Sequence, residues 1–228
     1  MTNDDHMDAA RLPGGFVPGP IDPEELPADV AVPETLPPTG PAVVGAAVGS
    51  IGGTPNVEGM VDAAGDNRVD VLTCADAPAP GWTTWSTVTL HARPNELPMA
   101  DGTKLDVRVE LMAVGMPGSD VMGKILGSCA FAVLQDGWMM APGVVYGDVV
   151  SLYDDKATTP HIMWSHPFTA GDLGAVEIDD DLKVHWLMAV PITEAERTFL
   201  EQNDYEALAQ LLDSHQVNYT DMHRESVV

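Results

Sequence analysis

The order of patterned segments predicts an α+β fold, with a largely antiparallel mixed sheet and helices packed on it. Three observations carry this. Short runs rich in Val, Thr and Trp fill the first part of the chain; one stripe of helical period interrupts them; two capped helical segments follow the last strand. Runs of strands with segregated helices favour this class over alternating βα units. With 228 residues, such a chain buries on the order of 70% of its unfolded surface, so it needs neither disulfide nor metal to stay folded.

Residues 1–40 stand apart. They hold eight acids against one base, Arg11, and eight of the 19 prolines. Each proline removes a backbone donor and fixes φ, leaving no room for a helix or a central strand. A segment this polar cannot offset its ordering entropy, so a disordered or partly extended tail is expected there, with the folded domain over 41–228.

The elements follow in order. Ala42 to Ile51 is a candidate helix weakened by Gly45 and Gly49, each costing roughly 1 kcal/mol relative to alanine. Arg68 to Cys74 alternates as a strand, and Ala75 to Gly81 is a proline-bearing turn. Trp82 to Leu90 (WTTWSTVTL) is the clearest strand. In Leu105 to Met112, Leu105, Val107, Val109 and Leu111 face one way and Asp106, Arg108, Glu110 and Met112 the other, which reads as a half-buried strand.

From Ser119 to Gln135 the apolar positions Met122, Ile125, Leu126, Cys129, Ala132 and Val133 form a helical stripe. Ser119 or Asp120 can cap its start and Gly137 can end it. Short strands are expected at Val144–Tyr146, Val149–Tyr153 and Ile162–Trp164, and a central strand at Leu182–Val190. Thr193 and Glu196 have capping-box spacing for a helix after Pro191. A last helix, about Tyr205 to Leu212, starts at Asn203 or Asp204 and packs Leu208, Leu211 and Leu212. The final DMHRESVV reads as a tail.

Composition bounds the function. Ten Lys and Arg against 35 Asp and Glu give a formal net charge of −25. The bases are scattered singly, which argues against nucleic acid and against anionic membrane surfaces. The charge favours a basic partner instead. No positive n-region precedes an apolar stretch, and Pro41 to Gly53 is too short and too glycine-rich to span a bilayer. A cytoplasmic location is expected. Cys74 and Cys129 sit in apolar stretches without ligand spacing and read as small buried hydrophobes in a reducing compartment; a disulfide between them stays open.

Motifs for chemistry are sparse. None of the seven histidines forms HExxH or a His/Cys cluster at zinc spacing. His161 and His166, five apart in a strand, face opposite sides, and His185 reads as a core or edge histidine. The glycines near residue 50 form no phosphate cradle. Ser165 and Ser128 lie outside any GxSxG elbow. Asp154-Asp155 and Asp179-Asp180-Asp181 lack the spacing of a calcium loop and read as solvated turns. No catalytic residue, cofactor or metal is assigned. Five tryptophans beside four Phe and four Tyr read mostly as core, with one or two as interface anchors.

Several segments together resemble the Suppressor of fused domain family. His185-Trp186-Leu187-Met188-Ala189-Val190-Pro191-Ile192-Thr193-Glu194-Ala195-Glu196 is similar to that family's apolar strand followed by PIT-x-x-E. It is followed by Tyr205-Glu206-Ala207-Leu208 and a terminus of the type D-x-x-R-x-S-V-V (Asp221, Arg224, Ser226 to Val228). Upstream, VDVLTC, WTTWSTVTLHARPNELPM, Arg108-Val109-Glu110-Leu111 and Trp138 to Gly143 resemble its strand pair, its R-x-E-L strand and its W-x-x-P-G turn. The resemblance runs from about Ala42 to Val228. Leu90-His91-Ala92 departs from it where the family carries a T-x-G-x-S glycine.

The resemblance implies a mixed α/β, non-enzymatic domain that binds protein. Animal members restrain a transcription factor in Hedgehog signalling, and bacterial members act as immunity proteins against secreted toxins. The bacterial role suits a short chain with a single such domain. The expected partner is a protein, a basic toxin being the candidate that the acidity favours. The residues expected to meet it are Trp164, His166, Asp154, Asp155, Asp179, Asp180 and Asp181. Two alternatives stand beside this reading: a scaffold or regulatory protein that binds through its proline-rich tail, and a hydrolase with an unrecognised site near the tryptophans, His161 and His166.

Overall fold

Alternating and β-branched segments become strands in the computed structural model of the chain, which describes residues 36–62, 65–170 and 172–228. Among these residues the strands are β1 (Thr54–Val61), β2 (Arg68–Ala75), β3 (Thr83–Thr87), β4 (Asn95–Pro98), β5 (Lys104–Gly115), β6 (Val145–Tyr146), β7 (His161–Ser165), β8 (Val176–Glu177) and β9 (Lys183–Ile192). They form one sheet in the order β1-β2-β3-β5-β9-β7-β6, with β4 added to β5 and β8 to β9. Only the β5–β9 pairing is parallel. The helices are α1 (Gly40–Ile51), α2 (Val121–Asp136), α3 (Glu194–Gln202) and α4 (Tyr205–Ser214). The α+β class and the mixed, largely antiparallel sheet are as the sequence predicts.

The two faces of the sheet are covered by different helices. Ile125, Leu126 and Cys129 of α2 pack on Val109, Leu111 and Leu187. On the other face Val43, Val44 and Ala47 of α1 pack on Leu72, Met112 and Met188. Farther along that face, Leu208 and Leu212 of α4 pack on Met163, Val190 and Ile192. Cys74 and Cys129 therefore lie on opposite sides of the sheet, both free and buried. Burial raises both thiols, Cys74 to about 12.

Several expectations are corrected. The strand expected to be half-buried is buried on both faces from Glu110 onward, because α1 covers the side that carries Glu110, Met112 and Val114. Val149–Tyr153 is not a strand. Asp148 takes a left-handed φ of 57°, the chain tightens into a 3₁₀ turn at Val150–Leu152, and Leu152 is 73% exposed. The Thr-rich strand stops at Thr87, because the Glu110 carboxylate takes the amides of Leu90 (3.3 Å) and His91 (3.0 Å) and bends the chain into a turn. β1, β4 and β8 have no counterpart in the sequence reading. β1 carries Pro55 and Gly59, which an edge strand tolerates; a Cβ on Gly59 would lie 2.2 Å from the Arg68 guanidinium.

The starts of α3 and α4 and the end of α2 follow their sequence signals; the start of α2 does not. The Thr193–Glu196 capping box is complete, Asp204 Oδ1 accepts from the Ala207 amide at 2.8 Å, and Gly137 ends α2 with φ 66°. Asp120 opens α2 without capping it, forming an ion pair with Lys124 instead (2.9 Å). The tail expected over residues 1–40 falls outside the described residues up to Thr35. Leu36, however, packs against the α1-side core, and Thr39 Oγ1 lies 2.8 Å from His91 Nε2.

Candidate functional site

Side chains alternate across β7, so Met163 and Ser165 face α4 while Ile162 and Trp164 face α2. Val190 of β9 lies beside Met163. Together they floor a groove of about 690 Å³ between β7, the β7–β8 connection, α4 and the C-terminal segment. Leu212 adds to the floor, and Ala209 and Val217 line it from α4 and the turn beyond.

Two aromatic pairs stand at the rim. Phe168, 52% exposed, meets Tyr219 edge-on with ring centroids 4.5 Å apart. His166 meets Tyr205 at 6.2 Å. The Tyr205 hydroxyl is 2.8 Å from Ser165 Oγ and accepts from the His166 amide at 3.4 Å, which ties the start of α4 to the end of β7. Gly143, at φ 83°, lets a turn pass beneath: a Cβ there would sit 3.0 Å from that of Tyr205.

The C-terminal residues are docked against this region. Arg224 Nη1 and Nη2 donate to Glu196 at 2.6 and 2.7 Å, and Nη2 also to the Pro191 carbonyl at 3.0 Å. Glu196 is fully buried and accepts further from the amides of Thr193 (2.9 Å) and Val227 (3.2 Å). Burial alone would raise its pKa; the Arg224 guanidinium and the backbone donors outweigh that and hold it below the usual carboxylate range. Arg224 is 8% exposed and lines the groove, and its Nε has no hydrogen-bond partner among the described residues.

The rim is acidic. Residues 194–228 hold eight acids against two bases. Both bases are engaged by carboxylates: Arg224 by Glu196, and Arg197 by Glu194 at 3.1 Å. Asp213 lines the groove, and exposed Asp204 and Glu206 flank Tyr205 in sequence.

Of the residues expected to meet a partner, only His166 lines this groove. Trp164 has no exposed surface and packs edge-on against Tyr146 at 5.6 Å beneath α2, so no partner can touch it without unfolding that layer. Asp154, half-buried, pairs with His223 at 3.0 Å, and Asp155 is exposed beside it. Asp179, Asp180 and Asp181 form the exposed turn before β9. Because β7 and β9 are antiparallel, Asp154 and Asp155 precede β7 at the far end of β9. The two acidic groups thus sit at opposite ends of a strand roughly 30 Å long and make no single patch. Phe168, Tyr219 and the Glu196–Arg224 pair escaped the sequence reading as parts of one site. The capping-box spacing of Glu196 was the one legible signal among them.

A second polar network lies beneath α1. His91 Nδ1 donates to Glu110 at 2.6 Å, and Thr87 Oγ1 also donates to that buried carboxylate. The order hydroxyl, imidazole, carboxylate matches a nucleophilic relay in form. Its geometry anchors Thr39, at the start of α1, onto the sheet. His161, which the hydrolase reading invoked, accepts from the Asp148 amide at 2.9 Å and donates through Nε2 to Glu194 at 2.6 Å, joining β7 to α3. Among the described residues no group of three or more His, Cys, Asp or Glu could hold a metal ion, and no helix is long and apolar enough to cross a membrane.

The family model described as Suppressor of fused protein (SUFU) matches residues 65–225. The chain is 36% identical over 184 residues to Immunity protein YqcF of Bacillus subtilis (strain 168), an alignment covering 79% of this chain and 93% of that protein. Its fold resembles the crystal structure of a SUFU homolog from Neisseria gonorrhoeae FA 1090, with a TM-score of 0.61 at 15% identity, covering 82% of this chain and 95% of that one.

Proposed function

Because this chain belongs to the Suppressor of fused family, we propose that it is a bacterial immunity protein that neutralises a protein toxin by holding it on the folded surface, in the cytoplasm and without bond-making of its own. The observation that carries this is the 36% identity, over 93% of its length, to a protein named for immunity. The charge supports it: a net −25 steers a basic partner into encounter and suppresses wrong ones. The packing supports it too, since the two buried histidines outside the groove among the described residues, His91 and His161, are each committed to contacts that join elements.

The test is co-expression of the full chain with the toxin-like product of the neighbouring reading frame. Restored growth and a complex that survives gel filtration are expected. Continued killing, with the two proteins eluting apart, contradicts the proposal.

A further inference from the structure

Among the surfaces of the described residues, the α4 groove combines an apolar floor with exposed carboxylates at and near its edge. We propose that it is the docking slot for a basic polypeptide segment that inserts one aromatic or aliphatic side chain between flanking Lys or Arg residues. This rests on the binding reading above and names the face that does the binding.

Three features select the occupant. Met163, Val190 and Leu212 offer only apolar contacts, so the inserted side chain must be apolar. A cavity of about 690 Å³ lies in the range that accepts a whole side chain with its neighbouring backbone. Asp213 on the rim, with Asp204 and Glu206 nearby, favours cations on either side of the anchor.

The floor itself carries no net charge to repel such a segment. Arg224 is neutralised by its two-pronged contact with Glu196. Its Nε is sealed from solvent and has no partner among the described residues, so the occupant is selected by the apolar floor and the edge carboxylates. Phe168, exposed at the mouth beside Tyr219, supplies the aromatic edge that anchors of this kind pack against.

The probe is a fluorescein-labelled peptide of about a dozen residues, rich in Lys and Arg with a central Leu-Phe, compared by anisotropy with a twin carrying Ala-Ala. Burying one large apolar side chain implies that the twin binds roughly tenfold or more weakly. Ala209→Trp fills the slot and is expected to weaken the Leu-Phe peptide by a similar factor. Asp213→Lys, at an exposed position, weakens it and reduces its salt dependence. Replacing Asp179, Asp180 and Asp181 by Asn changes it less than about twofold. Circular dichroism confirms the fold of each variant, and Asp213→Lys carries the test if Ala209→Trp does not fold.

Equal binding of the two peptides, indifference to the slot variants, or no binding to the full chain overturns the proposal. A chain that neutralises its toxin while ignoring the peptide overturns the slot alone. One that neutralises nothing overturns the functional reading as well.

Discussion

Breaking the Glu196–Arg224 pair from either side strands a buried group. Arg224→Met leaves a fully buried carboxylate with two backbone donors, and Glu196→Gln leaves a guanidinium facing an amide. Each is expected to destabilise the fold by about 3–5 kcal/mol in chemical denaturation. Glu196→Gln keeps a side-chain oxygen that can accept from the Thr193 amide, so the α3 cap is retained and the loss reports the ion pair. The sign of the pH effect follows from the depressed folded pKa of Glu196. Its contribution is full above the unfolded value of about 4.3 and is lost as pH falls through the folded value. The melting temperature of the native chain should therefore drop as pH falls below that range, more steeply than that of Glu196→Gln. An identical acid limb in both would refute the assignment. The sequence showed half of this pair: Glu196 is spaced for its cap, whereas Arg224 lies 28 residues away in what read as a loose tail. Local spacing reports local bonds, and nothing in it reports a partner brought in by tertiary docking.

At the scale of elements, α2 depends on two glycines in different ways. Trp85 lies in a slot between Gly115 and Gly123: a Cβ on Gly123 would come within 2.8 Å of its indole ring. On Gly127 a Cβ would meet the Met60 methyl at 2.6 Å, and that flexible end can swing aside. Gly123→Ala should therefore lower stability by about 1–3 kcal/mol through overpacking. Gly127→Ala should be close to neutral, because helix propensity returns up to about 1 kcal/mol. Thermal melts of the two variants decide this, and the reverse ranking would contradict the packing described. The strong periods were legible: α2, β9 and the capped α3 and α4 lie where their apolar stripes and caps placed them. β1 was not, since Pro55, Glu58 and Gly59 blur its alternation and it is held by the ladder to β2. Val149–Tyr153 misled because β-branched residues look alike in a strand and in a tight turn. The left-handed Asp148 decides between them, and no side-chain pattern announces it.

For the whole molecule, the central question is whether the folded body or the acidic segment before it does the binding. Removing residues 1–35 leaves every contact described above intact, so toxin binding should persist within about twofold; its loss would favour the tail-borne alternative. The family was readable from PIT-x-x-E and its neighbouring blocks, because those residues build the central strand and the α3 cap. The groove beside α4 was not, because it is assembled from β7, α4 and the C-terminal residues, which are far apart in the chain. Whether the proposed immunity protein holds a toxin or destroys it is settled most directly by stoichiometry. Residual toxin activity is measured against increasing amounts of the purified chain. Residual activity that falls linearly and reaches its floor at a fixed molar equivalence is the predicted result. Full protection by a small fraction of an equivalent, growing with incubation time, would mean turnover and would contradict the account.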